Sequence, residues 1–518
     1  MLRKVLGETV EKTKYIETVP RRGYRFVASV SEQRKEFAEV AHYASERITP
    51  KKDTNERFAD IQSIAVLPLE PLGVGPQDEY LGLGIADALI TRLSNLKHVK
   101  VRPTSAVRNA IKDDVIAAGR ALKVTTVLEG TIQKWDDYVR VTVQLVSIKD
   151  GATLWAERFD EKFTNIFAIE DSISEQVAAA LTVKLTAREQ AQLIKRYTDN
   201  AEAHQAYLKG RYFFEKRTQE GVIKSIEYFE LAIRTDPYHA TAYAGLAECY
   251  SLAPNFDLLP PKSAKPRAKA AALKALEIEP DLAEAHAALG QSLLNDWQWT
   301  DVEKEYKLAI ELNANYARAH HYYAIYLRHM RRFEESVKES RKAQELDPVS
   351  ATLKTVAAGT LYCAGHYDEA IEELSRVFEL DANNPIAHYW MGRIYVQKAF
   401  YEAAITEFDR TIGVFGKSPE LLAHLGYVYA VSGRREAAQE VLDELAESSN
   451  KNYVPSYYRA IIYAGLDGKE QAFEWLERAY EEHDLNLIPL AVDPALDNLR
   501  EDARFIRLLQ LTGLVPHL

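Results

Sequence analysis

The sequence contains very little cysteine: Cys249 and Cys363 are the only two in 518 residues. Two distant thiols cannot form the disulfide framework that stabilises small secreted domains. The sequence also lacks a run of about eighteen uncharged apolar residues, which a membrane-spanning helix requires. No apolar segment of the kind found in secretory signals follows the charged N-terminus. We therefore expect a cytoplasmic protein without membrane contact, and its length predicts more than one domain.

The familiar motifs of enzyme active sites are missing as well. The sequence has no Walker A loop, no HExxH, no GxSxG and no CxxC. Gly82-Leu83-Gly84 resembles a dinucleotide loop only faintly, because the third glycine and the tight strand-to-helix turn are absent. We interpret these two glycines as helix-capping residues. We expect no enzymatic activity, no catalytic residues, no metal site and no cofactor.

Charge is distributed unevenly along the chain. The net charge is −11, yet residues 1–30 contain seven Lys or Arg and three Glu, which gives +4 and leaves −15 for the remainder. Within this basic segment, YIETVPRRGYRFV consists of two β-rich runs around an Arg-Arg-Gly turn, which predicts a hairpin. Residues 31–60 are polar and contain Pro50, so we interpret them as a linker.

Residues 61–185 change in character. IQSIAVLPL and HVKVRP have the length of strands, and YLGLGIADALITRLSNL and VIAAGRALKV have helical spacing of apolar residues. VTTVLEGTIQKW and YVRVTVQLVSIKDG alternate around Asp136-Asp137, which predicts a second hairpin. FAIEDSISEQVAAALTVKL closes the region as an amphipathic helix. The order βαβα, then ββ and a final α, predicts a small α/β layer domain with helices on a mixed sheet.

Residues 200–480 repeat with a period of 34. Three columns of positions keep this spacing, and most of their members are apolar or small: Leu289, Tyr323, Ala357, Met391 and Leu425; Ala275, Ala309, Ala343, Val377, Thr411 and Leu445; Tyr306, Ser340, Leu374, Phe408 and Leu442. A helical period of 34 with small residues at helix crossings is typical of tetratricopeptide repeats (TPR), and units such as AHYWMGRIYVQKAFYEAAITEFDRTI resemble that family. We predict a solenoid of about eight repeats, with residues 481–518 as its cap.

Histidines recur in one phase of this period, at His286, His320 and His388. Equivalent positions in stacked repeats are a whole repeat apart, too far to share a metal ion. We therefore interpret these histidines as packing residues.

The first helix of each unit lines the concave groove in arrays of this family. With unit starts at 283, 317, 351, 385 and 419, positions 2, 5, 9 and 12 of each unit tend to face inward. This set includes seven basic or aromatic residues: Arg318, His321, Arg328, Tyr362, Tyr389, Arg393 and Tyr427. Arginine forks bind carboxylates, and tyrosine provides contact area at low entropic cost. The predicted ligand is an acidic peptide or the C-terminal carboxylate of a partner protein; the alternative is that these side chains are solvated or pack locally.

Two further resemblances complete the organisation. SIAVLPL, VLEGTIQ and VRVTVQLVSIKDGATLWAERFD resemble the α/β domain similar to the amino-terminal domain of TolB. That domain occurs in bacterial regulators and beside class III adenylate cyclases, usually before TPR repeats. LRKVLG with YIETVPRRGYRFV resembles the end of an OmpR/PhoB-type winged helix. This resemblance implies a wing whose Lys14, Arg21, Arg22 and Arg25 contact DNA phosphates.

The family's preceding strands and helices have no counterpart before Met1. We therefore interpret residues 1–30 as the remnant of a winged-helix domain in a regulator that is truncated or whose start codon is misassigned. The alternative is a degenerate wing that serves as a docking arm. DNA binding should be weak without the recognition helix.

The predicted fold is thus a winged-helix remnant, a small α/β layer domain and an all-α TPR solenoid. The predicted function is signalling and regulation of bacterial transcription through a protein or peptide bound by the TPR groove; the alternative is an interaction scaffold without DNA contact.

Overall fold

The computed structural model describes residues 16–19, 23–26 and 62–514, except residues 74, 76–77, 109–113, 181–184, 257 and 450–452. The chain divides into two compact units, residues 1–57 and 58–518. In the first unit, strands β1 (Ile16–Val19) and β2 (Gly23–Phe26) pair antiparallel, with Glu17 opposite Arg25. The predicted linker 31–60 and the predicted DNA contacts Lys14, Arg21 and Arg22 lie outside the described residues.

The second unit begins with a sheet of mixed strand direction. Its strands are β3 (Ser63–Val66), β4 (Glu70–Pro71), β5 (Lys100–Val101), β6 (Thr126–Trp135), β7 (Tyr138–Ser147) and β8 (Thr153–Lys162). The order is β5-β3-β6-β7-β8, and β4 also pairs with β6. β3 runs parallel to both β5 and β6, whereas β6, β7 and β8 form an antiparallel meander. We call residues 63–180 the mixed-sheet domain.

The predicted hairpin at Asp136-Asp137 is present. β6 and β7 pair along their whole length, from Thr126 opposite Ser147 to Trp135 opposite Tyr138. Asp136 has φ +48°, the left-handed conformation that two-residue hairpin turns require and that Asp tolerates better than most residues. Alternating burial along β7 places Val139, Val141 and Val143 in the core. Period-two patterning was therefore a sufficient signal for this pair of strands.

The third strand of the meander, β8, was not predicted from the sequence. Its side chains alternate only between half-buried and exposed. Charged residues such as Arg158 and Asp160 take the outward positions and form an ion pair there. An edge strand with so little full burial lacks a clear apolar alternation, which explains the omission.

Helices of the mixed-sheet domain cover the sheet, and the helical repeats follow. The helices of this domain and the short one after it are α1 (Tyr80–Leu93), α2 (Thr104–Val107), α3 (Val115–Ala121), α4 (Ile166–Ala180) and α5 (Ala187–Leu193). The predicted capping role of Gly82 and Gly84 is wrong, because both lie inside α1. A Cβ on Gly82 would lie 2.0 Å from the Leu69 carbonyl oxygen, so close packing explains that glycine.

Within the described residues, sixteen helices between Ala201 and Glu481 form eight consecutive pairs, which we call the repeat array. They are α6 (Ala201–Glu215), α7 (Gln219–Thr235), α8 (Ala240–Leu252), α9 (Pro261–Ile278), α10 (Ala283–Asn295), α11 (Trp299–Leu312), α12 (Ala317–His329), α13 (Phe333–Leu346), α14 (Ala351–Cys363), α15 (Tyr367–Phe378), α16 (Pro385–Gln397), α17 (Tyr401–Phe415), α18 (Pro419–Val431), α19 (Arg435–Ser449), α20 (Ser456–Gly465) and α21 (Lys469–Glu481). Five of these helices begin where the 34-residue period places unit starts, from Ala283 to Pro419.

In several repeats a glycine of the first helix packs against an aromatic ring of the second, as Gly210 does against Phe229. A Cβ on Gly290 would lie 2.7 Å from the Tyr306 ring, and one on Gly392 would lie 3.0 Å from the Phe408 ring. All members of the three sequence columns are buried, with at most 8% of their surface exposed. Burying one such side chain contributes about 1.5–3 kcal/mol, so the columns are the continuous core of the array.

The chain ends in a segment that folds back onto the array. Residues 485–512, the C-terminal cap, comprise 3₁₀ turns at Leu485–Leu487 and Pro494–Leu499 and helix α22 (Ala503–Thr512). Leu487, Leu490 and Leu496 of the cap are fully buried. Trp299 of α11 donates its indole N–H to the Thr512 carbonyl at 2.8 Å. The cap therefore joins the last repeats to α11, 213 residues before Thr512, and closes this part of the array on itself.

Candidate ligand-binding surfaces of the repeat array

The mixed-sheet domain is joined to the array by buried polar contacts. The Asn315 amide donates to the carbonyls of Ser94, Leu96 and Val99 at 2.9–3.2 Å and accepts from the Val101 N–H at 3.3 Å. Arg102 donates to the Glu345 and Leu346 carbonyls at the C-terminal end of α13, where the helix dipole favours a cation. Because these buried groups satisfy one another, the domain and the array form a fixed junction.

An ion network forms the centre of this junction. Arg211 of α6 contacts Asp87 of the mixed-sheet domain at 2.8 and 3.1 Å and Glu248 of α8 at 3.2 Å. Glu248 also pairs with Arg318 of α12. Burial alone would raise the pKa of Glu248, but Arg318, Arg211 and Arg217 lower it to about 2. The carboxylate is thus charged and links three helices of the array.

A cavity of about 650 Å³ lies beside this network, between the mixed-sheet domain and the concave face of the array. We call it the junction cavity. Its walls include residues of both parts: Asp87, Arg108, Ala121, Arg211, Glu215, Arg217, Glu248, Glu284, Arg318, His321, Tyr322 and Asp347. Two of the seven predicted groove residues, Arg318 and His321, are therefore in its wall. The volume lies within the range of about 300–1,000 Å³ that small-molecule sites occupy.

Several buried polar atoms in the cavity wall lack a hydrogen-bond partner among the described residues. They are Arg108 Nε, Glu215 Oε2, His321 Nδ1 and Asp347 Oδ1. Burial, together with the positive charges of Arg318 and Arg328, lowers the pKa of His321 to about 4, so its imidazole is neutral at pH 7. Unsatisfied buried groups cost about 1–3 kcal/mol each, and several in one wall are unusual in a native structure.

The C-terminal half of the concave surface differs, because the cap covers it. Arg393 of α16 donates to Asp493 of the cap at 2.8 Å, and its guanidinium lies 4.7 Å from the Tyr362 ring centre. Asp493 also accepts from the Tyr457 hydroxyl at 2.7 Å. Although burial opposes ionisation, Arg393 and these hydrogen bonds hold the pKa of Asp493 below its usual range. The carboxylate that the sequence led us to expect for Arg393 thus comes from the same chain.

The other predicted groove residues of this half also contact the chain itself. The Tyr389 hydroxyl donates to Glu420 at 2.9 Å and lies 2.9 Å from His424 Nε2. Tyr362 is 1% exposed. The Arg328 guanidinium lies over the Trp390 ring, and Tyr427 packs against Gly465. Local packing, one of the two readings of these positions, therefore accounts for the contacts of this group.

The three recurrent histidines have one role, repeated along the array. His286, His320 and His388 are each buried, and each Nδ1 bonds a glutamate 19 residues later in the second helix of the repeat. Each Nε2 lies 2.7–3.2 Å from the carbonyl six residues earlier. They are packing residues, as predicted from their phase. Across the described residues, no group of three or more His, Cys, Asp or Glu could hold a metal ion.

The acidic partners Asp87, Glu248 and Asp493 were not identified from the sequence. The seven predicted groove residues are all basic or aromatic and lie in the units that start at 317, 351, 385 and 419. Glu248 lies outside those units, and Asp87 and Asp493 lie outside the array. No local pattern marks them, because their partners are between 37 and 124 residues away in the chain.

Comparisons with known proteins agree with this architecture. A family model for TPR repeats matches residues 360–399. A model for the second domain of HilA/YgeH-like transcriptional regulators matches residues 60–176, which include the whole sheet. The molecule is therefore a helical solenoid of the TPR class with a small mixed-sheet domain on its N-terminal side. No helix in the described residues is long and apolar enough to cross a membrane.

One curated protein and several solved structures are similar to parts of this chain. A putative adenylate cyclase 3 of Rhizobium meliloti (strain 1021) is 30% identical over 187 residues, 36% of this chain and 32% of that protein. The chain thus spans about a third of that relative's length. Pseudomonas aeruginosa PilF is 22% identical, covering 41% of this chain and 93% of its own, with a TM-score of 0.32. Human IFIT1, solved as a dimer with PPP-AAAA, is 14% identical, covering 67% and 77%, with a TM-score of 0.43.

Proposed function

We propose that this chain is a non-enzymatic, cytoplasmic regulator of transcription whose repeat array binds a protein or peptide. The observation that carries the proposal is the order of two family matches, a regulator domain over residues 60–176 and a TPR repeat over 360–399. TPR arrays present side chains of their first helices to ligands. In this chain the mixed-sheet domain is held against that surface, so a ligand there can affect both parts.

We place the ligand contact at the junction cavity. Arg318 and His321 line this cavity, whereas Arg393 is already paired with the cap through Asp493. Peptide binding at Arg328, Tyr362, Tyr389 or Tyr427 would require displacement of neighbouring groups of the same chain. The proposed ligand-binding groove therefore comprises only the N-terminal half of the concave surface.

DNA contact is the second element of the proposal. The resemblance of residues 1–30 to a winged-helix wing assigns Lys14, Arg21, Arg22 and Arg25 to DNA phosphates. Such contacts release counterions, so the affinity should fall steeply with salt, with a log–log slope of about 0.9 per phosphate neutralised. They position a protein on DNA without selecting a sequence.

A gel-shift series at several salt concentrations tests this element. We expect the full chain to bind duplex DNA at low salt and the Arg21→Ala/Arg22→Ala variant to lose about two units of the log–log slope. Arg376→Ala/Arg410→Ala is the matched control, since both side chains are more than half exposed on the array. An unchanged slope in the wing variant would contradict the DNA element. Absence of any shift at low salt would favour the alternative, an interaction scaffold without DNA binding.

A further inference from the structure

The junction cavity contains a basic group of side chains that suits a carboxylate. Arg108 Nη1 donates to the Glu215 carbonyl, while its buried Nε has no partner in the described part of the chain. Arg217 lies 4.2 Å from the Phe214 ring centre, and its Nη2 lies 3.6 Å from Glu215 Oε1. That separation is an ion contact without a hydrogen bond. Guanidinium groups fixed in this way bind planar carboxylates well, often through two hydrogen bonds.

The same cavity contains an acidic group that suits an ammonium. Glu284, near the N-terminus of α10, has no ion pair with any described residue, although it lines the cavity. Burial and the negative charges of Glu248 and Asp87 raise its pKa. Asp347 Oδ1 and Glu215 Oε2 are buried without hydrogen-bond donors. A ligand cation would supply the donors that these acceptor oxygens lack.

Unsatisfied donors and unsatisfied acceptors occur in the same cavity wall. A ligand that satisfies both must carry both kinds of charge. Glu215 is 3% exposed, and its Oε2 lies 4.0 Å from Arg108 Nη1, an ion contact without a hydrogen bond. The charged side chains in the wall are nearly balanced, with four arginines and five carboxylates. A purely anionic or purely cationic ligand would satisfy one group and repel the other.

We propose that the junction cavity binds a small zwitterion, such as a free amino acid or a dipeptide, with its carboxylate at Arg108 and Arg217 and its ammonium at Glu284. This inference rests on the proposed function, which places the ligand at the junction cavity. The ligand inferred here is a small effector and not a long peptide. Because residues of the mixed-sheet domain and of the array both contact the ligand, binding stabilises the junction between them.

Calorimetric titration of the full chain with matched probes tests the inference. The probes are the free amino acids, a set of dipeptides, amines without a carboxylate, carboxylates without an amine, and a ten-residue acidic peptide. We expect at least one zwitterion to bind, and its amine-only and carboxylate-only analogues to bind on the order of tenfold more weakly or not at all. Equal binding of an analogue with one charge would overturn the inference.

The same titration separates this inference from the proposed function. Binding of the acidic peptide without binding of any zwitterion would overturn the small-effector inference and leave the peptide-binding function standing. Binding of none of the probes would overturn both. The gel-shift result remains independent of either outcome.

Two kinds of variant locate the site. Glu284→Gln and Arg217→Met should each weaken binding of the zwitterion about tenfold, because each removes one charged contact. Ala121→Trp adds bulk at an exposed position in the cavity wall and should abolish binding without disturbing the core. Ala382→Trp, at an exposed site elsewhere on the array, is its control and should bind normally. Normal binding by Ala121→Trp, with an unchanged circular dichroism spectrum, would place the site elsewhere and overturn the assignment.

Discussion

The two halves of the concave surface carry the same residue types and yet form different surfaces. Arg318 in the N-terminal half and Arg393 in the C-terminal half were both predicted to bind the carboxylate of an external ligand. Each is paired within the chain, Arg318 with Glu248 of another repeat and Arg393 with Asp493 of the cap. The N-terminal half lies next to the mixed-sheet domain, and the junction cavity remains open between them. The apolar cap segment covers the C-terminal half. What covers a repeat surface thus decides whether it remains available to a ligand.

The largest expected effect is removal of the carboxylate that closes the C-terminal half. Asp493→Ala leaves the Arg393 charge and the Tyr457 hydroxyl without their partner in a buried site. Breaking a buried pair in this way costs about 3–5 kcal/mol. Urea unfolding of the variant and of the parent protein measures the difference.

Asp497→Ala, in the 3₁₀ turn that Asp493 caps, is the matched control. Its side chain is 60% exposed and pairs with Arg500 at the surface. Such pairs contribute about 0–1 kcal/mol. Equal destabilisation by the two substitutions would show that the cap is not held by the Arg393–Asp493 pair.

A smaller effect should appear at the N-terminal half on acidification. The folded-state pKa of Glu248 is about 2, below its ordinary 4.5, so the ionised carboxylate stabilises the fold. This contribution is complete above about pH 4.5 and is lost as the pH falls towards 2; it amounts to about 3 kcal/mol. Urea unfolding at pH 7, 5 and 3 measures the loss. The Glu248→Gln variant should be less stable at pH 7 and should lose less stability between pH 5 and 3; parallel pH profiles would contradict the assignment.

The smallest effect concerns the close packing beneath the closed half. A Cβ on Gly359 would lie 2.7 Å from the Trp390 ring and 2.8 Å from Arg328 Nη1, so Gly359→Ala should destabilise by about 1–3 kcal/mol. Gly413 lies inside α17 with nothing within 4 Å of its Cβ position. Gly413→Ala should therefore stabilise by about 0.5–1 kcal/mol through helix propensity. Thermal unfolding of both variants measures the contrast, and shifts of the same sign would contradict it.

Much of the repeat array could be predicted from the sequence. The 34-residue period located five helix starts, and its three columns identified buried positions, because the helical period and the repeat length are local properties of the chain. The strands with full apolar alternation were found for the same reason. Strand β8 was missed, since its charged outer face and half-buried inner face show little contrast in hydrophobicity.

The candidate site was only partly predictable. The inward positions Arg318 and His321 followed from the repeat phase, and both line the junction cavity. Glu284 has the same phase as Arg318 one repeat earlier, but the predicted groove included only basic and aromatic residues. Arg217 lies outside the five units, and nothing in the period indicates that the mixed-sheet domain lies over either residue. Gly82 was assigned a capping role from its position in the sequence, whereas the nearby Leu69 carbonyl oxygen explains it in the structure.

The sequence alone therefore predicts the repeats, a mixed sheet and inward positions rich in arginine and tyrosine. Only the tertiary structure shows that Asp493 meets Arg393 across 100 residues and that Asp87 meets Arg211 across 124. The physical reason is that helix and strand periods arise from neighbouring residues, whereas charge pairing depends on which distant surfaces the fold brings together. The same packing leaves one half of the groove closed and the other beside a polar cavity.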